Sequence, residues 1–231
     1  MVPYFERDGI TIYHADCRDV LPTLSPDEFA VMVTDPPYGQ AYRQGRRVSG
    51  NSSEWTSRWT DVAIAGDQDT QLRDEALEWW SAWPDRPALV FGTWKAPPPA
   101  QVREVLVWDK VVSTGMGDLS VPWRPSWESI YVLGTGFIGQ RGHGVLRHPL
   151  PTLAAERKWH PTPKPIGLIH ALLEKCPDGA VIDPFMGSGP VAQACHELGR
   201  RYIGVELVED YCKVAVSRLA QQTLDFDGGA A

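Results

Sequence analysis

The segment 180–206 constrains the fold of this chain more than any other part of the sequence. An apolar run, Ala180–Asp183, leads into the turn 183–189 (DPFMGSG), a helical pattern over 189–198 and a second apolar run, Tyr202–Glu206. A strand, a glycine turn, a helix and a second strand in this order are typical of a parallel sheet that binds a nucleotide at its carboxyl edge. Glu206 ends the second strand about twenty residues after the turn, where a carboxylate commonly binds ribose hydroxyls.

The same turn indicates what kind of ligand it binds. Gly187 and Gly189 allow the backbone to approach a ligand and to turn sharply into the helix, and Asp183 and Ser188 flank that approach. The turn has neither the GxGxxG spacing of dinucleotide sites nor the lysine of a phosphate-binding loop. A nucleoside without phosphates therefore fits best. The alternative is a tight strand–helix connection that binds nothing.

The remaining pattern predicts an α/β fold. Further strands are expected at Ile10–His14, Phe29–Thr34, Ala88–Gly92, 102–108 and 129–133, and further helices at 74–83, 166–175 and 208–219. Strands that alternate with helices favour a doubly wound, mostly parallel sheet with helices on both faces. We therefore expect one domain over 1–231. Two segments rich in Gly, Pro and polar residues, at about 39–66 and about 111–160, are interpreted as insertions on the sheet.

A rigid acidic corner follows one of the buried strands. Asp35-Pro36-Pro37-Tyr38 comes directly after Phe29–Thr34, and its two prolines fix the backbone there. The carboxylate can accept hydrogen bonds from an amine, a proline carbonyl can accept another, and the ring can stack on a planar base. The alternative is a proline turn with a helix-capping Asp and a surface Tyr.

This corner suits methylation of an exocyclic base amine. The lone pair of such an amine is conjugated into the ring, and hydrogen bonds from its N–H groups to Asp35 and a carbonyl free that pair for attack. Asp35 then stabilises the positive charge that develops on nitrogen. Methylation of carbon 5 of cytosine needs a Pro-Cys pair, whereas here Cys176 precedes Pro177.

Charge and cysteine content restrict the partners. The net charge is −7, yet residues 40–60 carry four arginines against one acid, which predicts a local DNA contact by Arg43, Arg46 and Arg47. A solvated loop is the alternative. The four cysteines have no metal-ligand spacing, so neither a metal site nor a disulfide framework is expected. With no apolar leader and no run long enough for a membrane span, we expect a cytoplasmic protein.

The two motifs together resemble the S-adenosylmethionine-dependent amino-methyltransferases of DNA. That family has the signature [DNS]PP[YFW] and the cofactor turn DPFxGSG, and the order seen here, with DPPY first, resembles its beta group of N6-adenine and N4-cytosine enzymes. The likeness covers residues 4–38 and 158–222 well. It implies a Rossmann-like, circularly permuted sheet of seven strands, the last antiparallel, which the chain enters at the third strand. It also implies S-adenosylmethionine as cofactor and double-stranded DNA as substrate, with the target base flipped out. The insertion at about 39–66 would then be a mobile loop for DNA and the base, and that at about 111–160 a segment for target recognition.

Some site residues are implied by the resemblance alone. Lys164 and Pro165, in the segment HPTPKP, match residues that hold the methionine part of the cofactor. Asp16 matches an acid near the cofactor's adenine, Phe185 matches a residue beside the cofactor, and Asp35 borders both ligands. The chain departs from the family at Pro190, where Thr is usual, and since proline is tolerated in the first turn of a helix we expect the fold to survive.

Several alternatives stay open. The resemblance favours N6 of adenine, because N4-cytosine enzymes more often have Ser in place of Asp35. Methylation of RNA or of a protein amide is a weaker alternative, since those turns more often begin with Asn. An inactive DNA-binding or cofactor-binding relative is a further alternative. The sequence leaves a homodimer open.

Overall fold

The computed structural model describes residues 1–40, 66–82, 85–111, 119–150 and 164–227. These residues form a nine-stranded sheet. Its strands are β1 Phe5–Arg7, β2 Ile10–His14, β3 Phe29–Thr34, β4 Ala88–Gly92, β5 Val102–Asp109, β6 Trp127–Leu133, β7 Val145–Arg147, β8 Ala180–Asp183 and β9 Tyr202–Glu206.

The sheet has a parallel centre. The strand order is β1-β2-β9-β8-β3-β4-β6-β5-β7, and β2, β9, β8, β3 and β4 are parallel to their neighbours in this series. The strand β6 is antiparallel to both β4 and β5. Counting from the strand before the glycine turn, β8, β9 and β2 lie side by side as first, second and third. After the short edge strand β1, the chain therefore enters the sheet at its third strand, as the motif order predicted.

Helices cover both faces of this sheet. The described helices are α1 Cys17–Val20, α2 Gln71–Ser81, α3 Ile166–Leu173, α4 Pro190–Glu197 and α5 Glu209–Asp227, with two short 3-10 turns at Leu21–Thr23 and Pro26–Glu28. Alternate side chains of a strand point to opposite faces. On β4, Leu89 and Phe91 pack into the core that α3, α4 and α5 cover, while Ala88 and Val90 pack into the core under α1 and α2.

The α/β fold and its Rossmann-like topology are confirmed, but the sheet has nine strands instead of the expected seven. The two additional strands, β1 and β7, are three residues long and lie at the two edges. A three-residue strand is too short to show a period of two along the sequence, so the pattern did not reveal them. The seven longer strands include the expected antiparallel one, β6.

The segment predicted as an insertion at about 111–160 is narrower in the structure. Within it, β6 lies inside the sheet and buries Ile130 and Leu133, and β7 pairs with β5. The insertion at about 39–66 falls almost entirely outside the described residues. Among the residues that the structure describes, none of the helices has the length and apolarity needed to cross a bilayer.

Candidate active site

Four acidic residues lie where parallel strands end at one edge of the sheet. Asp16 follows β2, Asp35 follows β3, Asp183 ends β8 and Glu206 ends β9. Parallel strands bring their carboxyl ends to the same edge, which is where ligands bind in open α/β sheets. The fold therefore gathers residues that are up to 190 positions apart in the sequence (16 to 206).

Asp183 joins the acidic corner to the glycine turn. Its side chain is buried, and Oδ1 accepts hydrogen bonds from the Thr34 hydroxyl at 2.7 Å and from the Phe185 backbone N–H at 3.1 Å. Oδ2 accepts one from the Tyr202 hydroxyl at 3.2 Å. Since Thr34 immediately precedes Asp35, a single side-chain hydrogen bond connects the two motifs. The carboxylate thus lies beneath the turn, with all three contacts made to the protein itself.

Burial makes the charged form of Asp183 unfavourable. Desolvation raises the pKa of its carboxyl to about 7, and the nearby Asp35 raises it further, although the hydrogen bonds from Thr34, Phe185 and Tyr202 oppose the shift. A carboxyl whose pKa is higher in the folded chain than in the unfolded chain (about 3.9) stabilises the fold at low pH. That contribution is lost as the pH rises from about 4 to about 7.

We therefore expect Asp183→Asn to raise the free energy of unfolding at pH 8, by about 1–4 kcal/mol, and by much less at pH 4. The amide keeps an acceptor for Thr34 and Phe185, and the Tyr202 hydroxyl can accept from its NH₂. Urea denaturation at both pH values measures this difference. Asp178→Asn, an exposed acid before the same strand, is the matched control and should show no such pH dependence. A gain for Asp183→Asn that is equal at both pH values would contradict the assigned cause.

The glycine turn has the conformation that its residue types suggested. Gly187 and Gly189 have φ of +56° and +76°, a region that side chains disfavour. A Cβ at Gly189 would meet the Ala215 Cβ at 2.8 Å, whereas a Cβ at Gly187 would face open space. Gly189 is therefore required for packing against α5, and Gly187 leaves room above the turn. Pro190 is the first residue of α4, so the fold accommodates this departure as expected.

The carboxylate of Glu206 supports the turn. Its Oε2 accepts a hydrogen bond from the Gly187 backbone N–H at 2.9 Å, and its Oε1 accepts one from the Val208 N–H at 2.7 Å. Burial raises the pKa of Glu206, and these backbone donors partly offset the shift. The Leu207 N–H is a third backbone donor to this carboxylate. Two carboxylate oxygens offer about four acceptor positions, so acceptor capacity remains for a ligand.

The other predicted cofactor residues lie around this turn and on the adjoining strand end. Asp16 caps α1 through a 2.9 Å hydrogen bond from the Arg18 N–H, and its hydrogen bond with the Arg18 side chain lowers the pKa of its carboxyl. It lies near Glu206, because His14 and Glu206 are paired in neighbouring strands. Phe185 is half-buried and Ser188 is buried within the turn.

The acidic corner contains a network of charges that the sequence did not indicate. The Tyr38 hydroxyl donates to Asp35 Oδ1 at 2.7 Å, and the Lys164 ammonium donates to Asp35 Oδ2 at 2.5 Å. Glu128, the second residue of β6, lies 3.4 Å from both the Lys164 Nζ and the Tyr38 hydroxyl. Its other oxygen accepts from Lys110 at 2.6 Å. Lys164, predicted as a cofactor residue, therefore contacts the acid of the amine site.

Three residues of this site were missed. Glu128 lies in β6 and Lys110 directly follows β5, and the pairing of β5 with β6 brings them together. Asp67 is buried, and its Oδ1 accepts from the Gly39 and Gln40 N–H groups at 2.8 and 3.3 Å, which fixes the backbone just after Tyr38. No local period or motif marks any of them. The predicted DNA residues Arg43, Arg46 and Arg47 lie outside the described residues.

Solved structures of DNA methyltransferases have this fold. The crystal structure of the M1.HpyAVI–SAM complex aligns with a TM-score of 0.59 at 21% identity, over 90% of this chain and 99% of that chain. The cytosine-N4-specific PvuII DNA methyltransferase aligns with a TM-score of 0.65 at 14% identity, over 94% of this chain and 88% of that chain. The fold is thus that of the Rossmann-like DNA methyltransferases.

Sequence comparison identifies the family. Residues 101–217 match the model of the N6/N4 methyltransferase family, described as DNA methylase. The type II methyltransferase M2.DpnII of Streptococcus pneumoniae is 40% identical over 259 aligned positions, which cover 94% of this chain and 92% of that protein. The chain belongs to the N6/N4 family of DNA amino-methyltransferases.

Proposed function

We propose that this chain transfers a methyl group from S-adenosylmethionine to N6 of a flipped-out adenine in double-stranded DNA. The observation that carries the proposal is the 2.7 Å hydrogen bond from the Thr34 hydroxyl to Asp183. Asp183 begins the cofactor turn, and Asp35, the acid that would bind the amine, directly follows Thr34. The hydrogen bond therefore holds Asp35 close to the cofactor turn. Donor and acceptor sites are thereby held next to each other, as a direct transfer requires.

The residues around the turn fit a nucleoside with an amino-acid chain. Gly187 leaves open space above the backbone, and Glu206 retains acceptor capacity for ribose hydroxyls. Asp16 lies beside Glu206 and would face the adenine, while Phe185, Ser188 and Gly189 would line the path between ribose and methionine. S-adenosylmethionine supplies a methyl group that its positively charged sulfur already activates.

The acidic corner would bind and activate the amine. Asp35 accepts one N–H of the target amine and stabilises positive charge as it develops on nitrogen. The backbone carbonyl of Pro36 or Pro37 accepts the second N–H, and the Tyr38 ring stacks on the base. Tyr38 also donates to Asp35 at 2.7 Å, which fixes the orientation of the carboxylate.

Adenine is favoured over cytosine by the residue in the first position of the corner. An Asp at position 35 is more typical of N6-adenine enzymes, and Ser of N4-cytosine enzymes. N4-cytosine remains the second candidate, since a cytosine-N4-specific enzyme is among the structures that share the fold.

A base stacked inside a duplex cannot reach Asp35, so the target must flip out of the helix. Arg43, Arg46 and Arg47 follow the corner closely in sequence, and we assign them to phosphate contacts beside the flipped base. With a net charge of −7 the chain needs such a local positive segment to bind DNA. A DNA substrate also favours the cytoplasm as location in a prokaryotic cell.

Product analysis tests the proposal. The protein is incubated with unmethylated double-stranded DNA and labelled S-adenosylmethionine, the DNA is digested to nucleosides, and the labelled nucleoside is identified. We expect N6-methyldeoxyadenosine, and sequencing of the modified DNA then maps the target site. Label in N4-methyldeoxycytidine would replace adenine by cytosine. Label in RNA but not in DNA, or cofactor binding with no transfer to either, would refute the proposal.

A further inference from the structure

Lys164 is a buried ammonium at the centre of the acidic corner. Its side chain is 7% exposed, and its Nζ lies 2.5 Å from Asp35 Oδ2, 3.3 Å from the Tyr38 hydroxyl and 3.4 Å from Glu128 Oε2. The rings of Phe91, Tyr38 and Trp108 surround it with centroids at 5.1, 5.7 and 6.0 Å. Burying an ammonium is costly unless carboxylates pair with it, and here two do. Although burial lowers the pKa of Lys164, Asp35 and Glu128 outweigh it and raise that pKa.

This ammonium lies where the target amine would need an acceptor. Tyr38 already uses Oδ1 of Asp35, and Lys164 uses Oδ2. An incoming amine brings N–H donors to the same carboxylate and gains positive charge as it accepts the methyl group. A second positive charge within hydrogen-bonding distance of that carboxylate opposes this change, because like charges repel strongly in a site of low dielectric.

Glu128 offers the ammonium a second partner. Its Oε1 accepts from Lys110 at 2.6 Å, while its Oε2 lies 3.4 Å from the Lys164 Nζ, longer than a normal hydrogen bond. Burial raises the pKa of Glu128, but Lys164 and Lys110 together overcome this effect and lower it. Glu128 is therefore a charged acceptor that a small shift of Lys164 would reach.

We propose that Lys164 and Glu128 are positioning residues of the amine site. The Lys164 ammonium holds Oδ2 of Asp35 before the base arrives, and its hydrogen bond moves to Glu128 Oε2 when the base amine binds. No net charge enters or leaves the site, since both carboxylates and both lysines remain. The inference rests on the proposed function, because it takes the amine to bind at Asp35.

The exchange predicts opposite effects for two substitutions. Lys164→Met removes the competitor while keeping a long apolar side chain, so the amine should contribute more to binding. Glu128→Gln removes the charge that attracts Lys164 away from Asp35, so the amine should contribute less. A substitution that disturbs only the packing of the site would change binding equally for duplexes with and without the target amine.

The amine contribution is measured with two duplexes that carry the mapped target site. One has adenine at the target and the other has purine, which lacks the N6 amine, and each is titrated in the presence of S-adenosylhomocysteine, which cannot react. The dissociation constant of the purine duplex divided by that of the adenine duplex measures how much the amine contributes to binding. We expect Lys164→Met to increase this ratio by about tenfold over the unsubstituted protein, and Glu128→Gln to reduce it, in line with one charge-assisted hydrogen bond. Lys213→Met, an exposed lysine on α5, is the control and should leave the ratio unchanged.

A double-mutant cycle completes the test. In the Lys164→Met background, Glu128→Gln should no longer change the ratio, because Glu128 acts through Lys164. An unchanged ratio in Lys164→Met, or equal effects of Glu128→Gln with and without Lys164, would overturn the inference. Weaker S-adenosylhomocysteine binding with an unchanged ratio would instead make Lys164 a cofactor ligand. If Lys164→Met fails to fold, Lys164→Gln is used in its place. Glu128→Gln by itself also tests the exchange, in a chain that keeps Lys164.

The two proposals fail in different ways. If the amine makes no difference to duplex binding and Asp35 proves dispensable for transfer, the proposed function is at fault. If Asp35 is essential and the amine contributes to binding, but the ratio ignores Lys164, only the exchange is wrong.

Discussion

Replacing Asp35 by Ala should reduce methyl transfer by roughly 10³-fold or more, while the affinity for S-adenosylmethionine changes little. The carboxylate is the acceptor that would draw the target amine out of conjugation and stabilise its developing charge. Removing it leaves the stacking surface of Tyr38 and the turn around Gly187 in place. The loss should therefore appear in the turnover number and not in cofactor binding.

The measurement combines transfer to DNA under single-turnover conditions with calorimetric titration of the cofactor. Asp35→Asn keeps the shape and one acceptor but loses the charge, so its transfer rate should lie between that of the unsubstituted protein and that of Asp35→Ala. Asp178→Ala, an exposed acid outside the site, is the control for loss of an acidic side chain. Among the residues that the structure describes, removing Asp35 leaves Lys164 with Glu128 as its one carboxylate partner, so thermal unfolding must accompany the assay. A folded Asp35→Ala protein that still turns over would refute the assigned role.

The sequence predicted the sheet well because most of its strands are long enough to show their pattern. The runs at 10–14, 29–34, 88–92, 180–183 and 202–206 are strands with these same bounds in the structure. Four of them are apolar runs bounded by turn residues, whereas Ile10–His14 alternates between apolar and other residues. Together they form the parallel centre of the sheet. Local composition therefore suffices to identify strands that are buried on both faces.

The predicted site residues came from motifs, and the missed ones came from contacts across the sheet. The motifs at 35–38 and 183–189 are contiguous, so their chemistry can be recognised from spacing alone. Glu128 comes to lie beside Tyr38 and Lys164, and Lys110 beside Glu128, because β6 runs antiparallel between β4 and β5. The sequence pattern does not encode which strand inserts at that position.

Lys164 shows the limit of reasoning from resemblance. The motif around it predicts contact with the methionine part of the cofactor, and the structure adds a contact of its Nζ with Asp35 at 2.5 Å, which the motif did not indicate. A motif identifies the residue but not its partner, because the partner depends on how the segment before α3 packs against the end of β3. Both assignments remain predictions that the duplex titration distinguishes.

Replacing Glu206 by Ala should weaken S-adenosylmethionine binding by roughly 10- to 100-fold. The carboxylate would accept the ribose hydroxyls, and a hydrogen bond to a charged acceptor contributes about 1.5–3 kcal/mol. It also accepts from the Gly187 N–H at 2.9 Å, so its loss leaves the turn without that support. Calorimetric titration measures the affinity, and Glu209→Ala, an exposed acid at the start of α5, is the matched control.

Two further measurements separate the ribose contact from support of the turn. Adenosine and 2′,3′-dideoxyadenosine differ only in the hydroxyls, so their ratio of dissociation constants should fall towards one in Glu206→Ala. A ratio that stays as in the unsubstituted protein would show that Glu206 supports the turn without touching ribose. The pKa of Glu206 is raised by burial, so protonation begins at a higher pH than for an ordinary glutamate and removes acceptor capacity. Cofactor affinity should therefore fall as the pH is lowered, and this dependence should be weaker in Glu206→Ala, since the titrating group is gone.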